Sequence, residues 1–164
     1  MNNDIVAIAG GLTSAEAEGV VGSTSSDWIS RARRKVYYPY FWFHLRHATR
    51  TLLGQSSARL SCLVDTRTGH ASTADPFEVE RVDVSTGVVM TPRLAEADAL
   101  RIAHRYSGYV MRNRRKALVA PQVTVLDRRL VYKPFWIVDG TTPSESSFRV
   151  LVDGVTGGFH ALRH

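Results

Sequence analysis

Six histidines and a single cysteine are the side chains of this sequence that could bind a transition metal. His44 and His47 are three residues apart, His160 and His164 are four apart, and Cys62 stands alone. Zinc requires three or four ligands that converge on one point, whereas two residues three apart on a strand point to opposite faces. The pattern predicts surface or sheet-packed histidines, with no metal and no cofactor.

Three aspartates, Asp65, Asp83 and Asp153, recur in the motif Asp-x-x-Thr-Gly. In such a turn the carboxylate can bond backbone amides while the glycine adopts a positive φ, so each aspartate is predicted to build its own turn. The sequence contains no Gly-x-Ser-x-Gly, phosphate loop, dinucleotide fingerprint or Cys–His signature. No catalytic residue is therefore assigned.

A small-molecule pocket is the first alternative to a purely non-catalytic role. A small cup-shaped sheet can enclose a pocket that holds a lone His or Asp base. His44, His104 and Tyr106 could face such a pocket. Whether the chain is an enzyme stays open here, with a binding role favoured.

Two clusters of basic residues make nucleic-acid association the second alternative. Their members are Arg112, Arg114, Arg115 and Lys116 in one cluster, and Arg31, Arg33, Arg34 and Lys35 in the other. Basic residues beside exposed aromatics can neutralise and stack on a single strand. No helix-turn-helix or RNA-recognition signature accompanies them, so a solvated helix face is the simpler interpretation, and nucleic acid is not the expected partner.

The aromatic segment from about Val36 to Arg46 or beyond is predicted to be a strand with two apolar faces, because alternate residues of a strand point to opposite sides. One face carries Tyr38, Tyr40, Trp42 and His44, and the other carries Tyr37, Pro39, Phe41 and Phe43. One face can pack on a helix, and the other needs the second repeat, another subunit or a ligand. The predicted binding residues are Tyr38, Tyr40, Trp42, His44, Tyr132 and Trp136. We expect self-association or a protein partner at this surface.

The chain repeats two segments in the same order. Residues 36–42 are echoed by residues 131–137, and residues 63–71 are echoed by residues 151–161. Self-similarity of this kind indicates an internal duplication. Each half then consists of a helix followed by an antiparallel meander that contains an Asp-x-x-Thr-Gly hairpin.

The helices are predicted from their start signals. Thr13 and Glu16 form a potential capping box for a short helix that Gly22 limits. A long helix is predicted over residues 92–117, with Thr91 as its cap and Pro92 in its first position. Its predicted apolar stripe consists of Ala95, Ala99, Ile102, Tyr106, Tyr109 and Val110.

The strands are predicted from alternation and turn residues. The first aromatic strand should begin near Val36, and Pro39 within it favours an edge, a bulge or a bend. Residues 77–84 and 88–90 are expected to pair as a hairpin. Residues 127–129 are expected to turn the chain before the second aromatic strand.

The helix, the meander and the recurring hairpin resemble the PepSY-type repeat, a small cystatin-like unit. The resemblance covers about residues 28–90 and 92–162. It implies a curved antiparallel sheet wrapped on a helix, and a binding, inhibitory or accessory role. It transfers no functional residue, and PepSY-type proteins are usually exported.

The length and the charge of the chain limit its domain number and its partners. The 164 residues suit one compact domain, made of an N-terminal segment (1–27), a first repeat (28–90) and a second repeat (91–164). The formal charge is +6, which permits an anionic partner but does not require one. No stretch approaches the roughly 20 apolar residues of a membrane span, and residues 1–9 lack the features of a secretory signal.

The sequence thus predicts an α+β fold of tandem, pseudo-symmetric helix-plus-meander repeats forming a curved sheet or a barrel-like core. The predicted function is that of a cytoplasmic, non-catalytic binding or accessory protein that acts through its aromatic sheet surface.

Overall fold

The fold is described from a computed structural model of residues 4–51, 53–115 and 121–162, in which residues 51, 114 and 115 are described by their backbone alone. Strands dominate a mixed α+β structure with two helices. The strands are β1 (Asp4–Ile8), β2 (Ile29–Thr51), β3 (Gly54–Asp65), β4 (Ala71–Thr73), β5 (Val79–Asp83), β6 (Val88–Val89), β7 (Gln122–Thr141), β8 (Ser147–Asp153) and β9 (Phe159–Ala161), and the helices are α1 (Ser14–Gly22) and α2 (Glu96–Arg115).

The strands form an open sheet. Hydrogen-bonded neighbours follow the order β4-β3-β2-β7-β1-β5. Outside this path, β6 pairs with β2, and β8 pairs with both β7 and β9. Strands β4 and β5 end this path without pairing with each other, so the described strands do not close. The barrel-like alternative for the core is therefore wrong.

The chain divides into two compact units, each assembled from separated segments. Unit 1 contains Met1–Tyr38, Glu78–Thr91 and Tyr132–His164, and unit 2 contains Pro39–Phe77 and Pro92–Val131. Strands β2 and β7 each contribute residues to both units. As a result, each unit takes segments from both the N-terminal and the C-terminal half of the sequence.

Helix α1 begins with the predicted capping box, which is confirmed. The Thr13 hydroxyl accepts a hydrogen bond from the Glu16 N–H at 3.3 Å, and the Glu16 carboxylate accepts one from the Thr13 N–H at 2.7 Å. The bond from the Thr13 backbone is the main reason that the pKa of Glu16 lies below its ordinary value. Two N–H groups that a helix start leaves unpaired are satisfied in this way.

The core of unit 1 forms where α1 packs against β7 and β8. Its buried members are Ala17, Val21, Val138, Val150 and Val152. Two large rings lie beside them, with the centroids of Trp28 and Phe148 4.9 Å apart. A helix from the N-terminal half of the chain thus shares its core with strands from the C-terminal half.

The core of unit 2 forms where α2 covers one face of β2, β3 and β4. Its buried members are Phe41, Phe43, Leu45, Cys62, Val64, Ala71, Ala99 and Ala103. On α2, Ser107 and Met111 are buried as well, whereas Tyr109 is 58% exposed. The predicted apolar stripe is therefore wrong at Tyr109, and also at Ala95, which is exposed and precedes the first residue of α2. The buried face of the helix follows i, i+4 spacing through Ala99, Ala103, Ser107 and Met111.

Helix α2 begins four residues later than predicted. The N–H groups of Arg93 and Leu94 donate to the Thr66 carbonyl at 3.2 and 2.8 Å, so this segment binds the turn after β3 rather than starting a helix. The predicted cap at Thr91 and first turn at Pro92 are therefore wrong. The end predicted at residue 117 lies outside the described residues.

Three strand predictions also required correction. Strand β2 begins at Ile29, seven residues before the predicted start, and β7 runs without a turn through Asp127 because β2 is its neighbour in the sheet. Strand β5 pairs with β1, and β6 pairs with β2, so residues 77–90 do not form a hairpin. Strand β1 was not predicted, since its five residues give little periodic signal.

Pro39 lies at a change of partners within β2. Tyr37 is the last residue paired with β6, and Tyr40 is the first paired with β3. The missing N–H of proline interrupts neither ladder at that position. Pro39 instead accepts hydrogen bonds at its carbonyl from the N–H and the hydroxyl of Thr66.

Candidate functional site

The two faces of the aromatic strand differ in burial, and one of them packs on a helix as predicted. Phe41, Phe43 and Leu45 are buried under α2. Tyr40, Trp42 and His44 on the opposite face are half-buried. The register places Trp42 opposite Leu63 and His44 opposite Ser61 of β3, so this second face continues across two strands.

The position of the Trp42 ring is fixed by its neighbours. Its indole N–H donates to the Ser61 hydroxyl at 2.6 Å. Its ring centroid lies 5.3 Å from that of Phe77 and 6.2 Å from that of His44. The Arg129 guanidinium lies 5.9 Å from the ring centroid, in cation–π contact. Trp42 is therefore held in one orientation, with part of its surface covered by its own chain.

Three arginines extend the same face beyond the aromatic residues. Arg46 and Arg59 are exposed and lie directly opposite each other in the β2–β3 ladder, while the exposed Arg50 lies opposite Gln55. Like charges placed opposite each other destabilise a ladder. None of the three guanidinium groups forms an ion pair with a carboxylate of the described ranges.

A shallow depression lies beside Arg46 on the β2–β3 ladder. It has a volume of about 190 Å³, and Arg46, Ala48, Gln55 and Ser57 line it. We call the surface defined by the following residues the aromatic–arginine face: Tyr40, Trp42, His44, Arg46, Arg50 and Arg59.

The charge of the chain is concentrated in unit 2. Its two segments carry 13 Lys and Arg residues against 5 Asp and Glu residues, a formal charge of +8. Unit 1 carries the remaining 8 basic and 10 acidic residues, a formal charge of −2. The aromatic–arginine face thus belongs to the strongly basic unit.

The remaining predicted binding residues lie in unit 1. Tyr38 contacts Phe135 edge-on, with ring centroids 6.1 Å apart. Tyr132 is buried, and burial raises the pKa of its hydroxyl. The Trp136 indole N–H donates to the Leu12 carbonyl at 2.8 Å, and its ring packs against the core under α1. Of the six predicted residues, the structure brings Trp42 and His44 together beside Tyr40, whereas Trp136 serves the core of unit 1.

Two of the three Asp-x-x-Thr-Gly turns form the predicted hydrogen bonds in full. Asp65 accepts from the N–H groups of Arg67 and Thr68 at 2.8 and 3.1 Å. Asp153 accepts from the N–H groups of Val155 and Thr156 at 2.9 and 3.1 Å.

The glycines that end these turns, Gly69 and Gly157, have φ of 75° and 74°. At the third motif, Asp83 accepts from the Ser85 N–H at 3.1 Å, between two strands that do not pair with each other.

A cleft of about 350 Å³ opens on unit 1. Lys35, Tyr37 and Glu80 contribute to its lining beside Gly11 and Pro134. The Lys35 ammonium lies 5.8 Å from the Tyr37 ring centroid and 5.4 Å from that of Trp136. Burial, and then the charge of Glu80, raise the pKa of Tyr37. The cleft therefore presents a cation held by two aromatic rings.

The described histidines and the cysteine do not form a cluster with metal-binding geometry. His44 is half-buried and His47 is buried, in agreement with the prediction that they lie on opposite faces. Cys62 is buried, and burial raises the pKa of its thiol to about 12. In the part of the chain that the structure describes, no three His, Cys, Asp or Glu side chains are grouped so that they could hold a metal ion.

The two pocket candidates on α2 do not meet in one site. His104 is exposed, and the Tyr106 hydroxyl accepts a hydrogen bond from the Thr73 N–H at 3.1 Å. Through this hydrogen bond, Tyr106 connects α2 to β4.

The two predicted basic clusters have different surroundings. In the cluster at residues 31–35, Arg33 pairs with Asp139 at 2.9 Å, and Arg149, from outside the cluster, pairs with the same carboxylate at 2.6 Å. The hydrogen bond from Arg149 is the main reason that the pKa of Asp139 is lowered. Arg31 and Arg34 are exposed.

In the cluster at residues 112–116, Arg112 is exposed near the end of α2, and Arg114 and Arg115 belong to that helix. Lys116 lies outside the described residues.

Sequence reasoning missed Arg46, Arg50 and Arg59. Strand alternation could have placed Arg46 and Arg50 on the face of Trp42, since they follow it by four and eight residues. Arg59 could not be placed in this way because its position opposite Arg46 depends on where the chain turns between β2 and β3.

No family model, curated protein or solved structure matches this chain. Across the described residues, neither helix has the length and apolarity needed to cross a membrane.

Proposed function

We propose that the chain is a non-catalytic binding protein that holds an anionic macromolecular partner on its aromatic–arginine face. The observation that carries the proposal is the opposed pair of Arg46 and Arg59. Two like charges without an anionic partner reduce the stability of the ladder. An anionic ligand bound to both guanidinium groups would offset their repulsion. The formal charge of +8 on unit 2 supports the same conclusion.

The aromatic part of the face supports a fixed recognition surface rather than a flexible one. Trp42 is oriented by Ser61, Phe77 and Arg129. A side chain that is already ordered loses little conformational entropy when a partner binds. The half-buried rings would thus supply contact area, and the arginines would supply charge.

Heparin-affinity chromatography tests this proposal. We expect Arg46→Ser combined with Arg59→Ser to elute at clearly lower salt than the wild type, because two exposed positive charges leave the binding face. The matched control is Arg31→Ser combined with Arg34→Ser, which removes the same charge from the unit 1 part of β2. Equal elution of the two double variants would refute a specific role for the face.

Self-association stays a prediction of the sequence. A second copy could place its own acidic residues against the basic face of unit 2, since unit 1 carries a formal charge of −2. Light scattering across micromolar concentrations tests this partner, and a monomeric mass throughout would remove it. The cytoplasmic location is likewise kept as a prediction.

We also infer that the chain is a tandem, pseudo-symmetric duplication. Apart from β5, which lies between the two halves and has no counterpart, strands and helices follow the same order, as β1-α1-β2-β3-β4 and as β6-α2-β7-β8-β9. Tyr37 and Tyr132, each two residues before a proline, both pair with a short parallel strand. The carbonyls of these prolines, Pro39 and Pro134, both accept from the residue that follows the turn aspartate.

The PepSY-type resemblance is kept as part of this inference. A helix packed on an antiparallel meander supports it in both units. In the inferred arrangement, each helix packs on the meander of the other repeat, since α1 contacts β7 and β8 while α2 contacts β2 and β3.

A small-molecule site in the unit 1 cleft is the second candidate function. It is favoured by the Lys35 ammonium, which two rings hold at the cleft and for which no carboxylate partner occurs among the described residues. Such a cation suits a small anionic ligand. Native mass spectrometry of the protein from its own host would detect a bound molecule, and a persistently empty protein would count against the site.

A further inference from the structure

We propose that the partner of the aromatic–arginine face is single-stranded nucleic acid. This proposal rests on the proposed function, and it names the chemical class of the anion. The aromatic end of the face, at Trp42 and His44, would bind unstacked bases. The arginine end, which follows along β2 from Arg46, would bind the phosphate backbone.

The arginine end suits a phosphodiester chain. Arg46, Arg50 and Arg59 present planar guanidinium groups on two adjacent strands, and such groups bind phosphate oxygens in a bidentate manner. Residues directly opposite in an antiparallel pair have Cα atoms about 5 Å apart. Arg46 and Arg59 can therefore bind one phosphate together, above the depression that Arg46 and Ser57 line.

The aromatic end favours nucleic acid over an acidic peptide. His44 lies between Trp42 and Arg46 in the alternation of β2, and its ring is 6.2 Å from the Trp42 ring at an angle of 39°. Trp42 itself is held by its hydrogen bond to Ser61. Nucleic-acid bases stack on aromatic and histidine rings and on guanidinium planes, whereas the carboxylates of an acidic peptide gain nothing from a planar surface.

The test is fluorescence anisotropy of the full chain with a labelled oligothymidylate of about 12 nucleotides, a length within the range of site sizes known for OB-fold single-strand-binding domains. We expect Arg46→Ser with Arg59→Ser to weaken binding at least about tenfold and to reduce the salt slope by about 0.7 for each lost phosphate contact. We expect His44→Ala to weaken binding about fivefold with the salt slope unchanged, because it removes stacking rather than charge. The control is Arg31→Ser with Arg34→Ser, which should bind like the wild type.

Poly-glutamate of matched charge, measured as a competitor, separates the two proposals. If it competes as strongly as the oligonucleotide, and His44→Ala has no effect, the nucleic-acid proposal is overturned while the anion-binding function stands. If Arg46→Ser with Arg59→Ser binds both polymers as the wild type does, both proposals fail. Circular dichroism of each variant confirms that any loss occurs in a folded protein.

Discussion

Asp153 holds three donors at once. Its carboxylate accepts from the Lys133 ammonium at 2.5 Å and from the N–H groups of Val155 and Thr156. Burial by itself would raise the pKa of this carboxyl, but the bond from Lys133 and the two amide bonds together lower it. The motif aspartate thus builds its turn, as the sequence predicted, and also neutralises a half-buried lysine that the sequence did not connect to it.

Asp153→Asn tests the contribution of that ionised carboxylate. At about pH 7 we expect a loss of about 1–3 kcal/mol in the free energy of unfolding, because the bonds to a charged group are weakened. The folded pKa is depressed below the unfolded value of about 3.9, so the stabilisation is complete above that value and is lost as pH falls through the folded pKa.

Urea denaturation of wild type and variant as a function of pH checks this prediction. The difference between them should shrink as pH falls below about 3.9. Lys133→Met serves as a control, since it should raise the pKa of Asp153 and shift the acid loss to higher pH. A difference that is constant with pH would contradict the prediction.

The β2–β3 ladder combines a stable interior with an unfavourable surface pair. One side carries Phe43 and Leu45 under α2, and burial of such side chains contributes about 1.5–3 kcal/mol each. The other side places Arg46 opposite Arg59. The buried side therefore fixes the register, although the register places two like charges opposite each other. Such a loss of stability at surface residues is expected where natural selection favours a binding function over stability.

Arg59→Thr should stabilise the protein. Removing one of two opposed charges, and introducing a residue suited to strands, should raise the free energy of unfolding by about 0.2–1 kcal/mol. The gain should decrease at high salt, because salt screens the repulsion in the wild type. Arg34→Thr, on the unit 1 part of β2, is the matched control and should change stability less. Thermal denaturation at two salt concentrations measures the effect, and a destabilised Arg59→Thr would contradict the explanation.

Neither half of the chain contains a complete core. Ala17 and Val21 pack with Val138 and Val152 in unit 1, and the strands that carry Phe43 and Cys62 pack under α2 in unit 2. Folding therefore requires contacts between residues more than 100 positions apart. Such long-range contacts cost loop-closure entropy, and proteins rich in them fold slowly.

Cleavage of the chain between the halves tests this dependence. A protease site inserted after Asp75, in the segment between β4 and β5, should leave the cut halves associated on gel filtration, because each unit needs both pieces. The same sample in denaturant should separate into two fragments and so prove complete cleavage. A half that unfolds cooperatively when it is expressed alone would contradict the interpretation.

Interactions between near neighbours were predictable from the sequence. The Thr13–Glu16 capping box and the turns at Asp65 and Asp153 involve residues two or three apart, so their patterns carry the whole signal. The alternation around Trp42 likewise assigned the residues of that strand to the correct faces, and the structure shows that one face is buried and the other half-buried. These local rules gave the α+β class and part of the candidate face.

The tertiary structure was needed wherever a segment has a distant partner. Helix α2 starts at Glu96 because the preceding amides bind the turn at Thr66, and Trp136 joins a core because α1 covers it. Arg59 joins the candidate face because the pairing register sets it opposite Arg46. Such contacts depend on which strands pair and in which register, and the energies that decide this are spread over the whole core rather than over neighbouring residues.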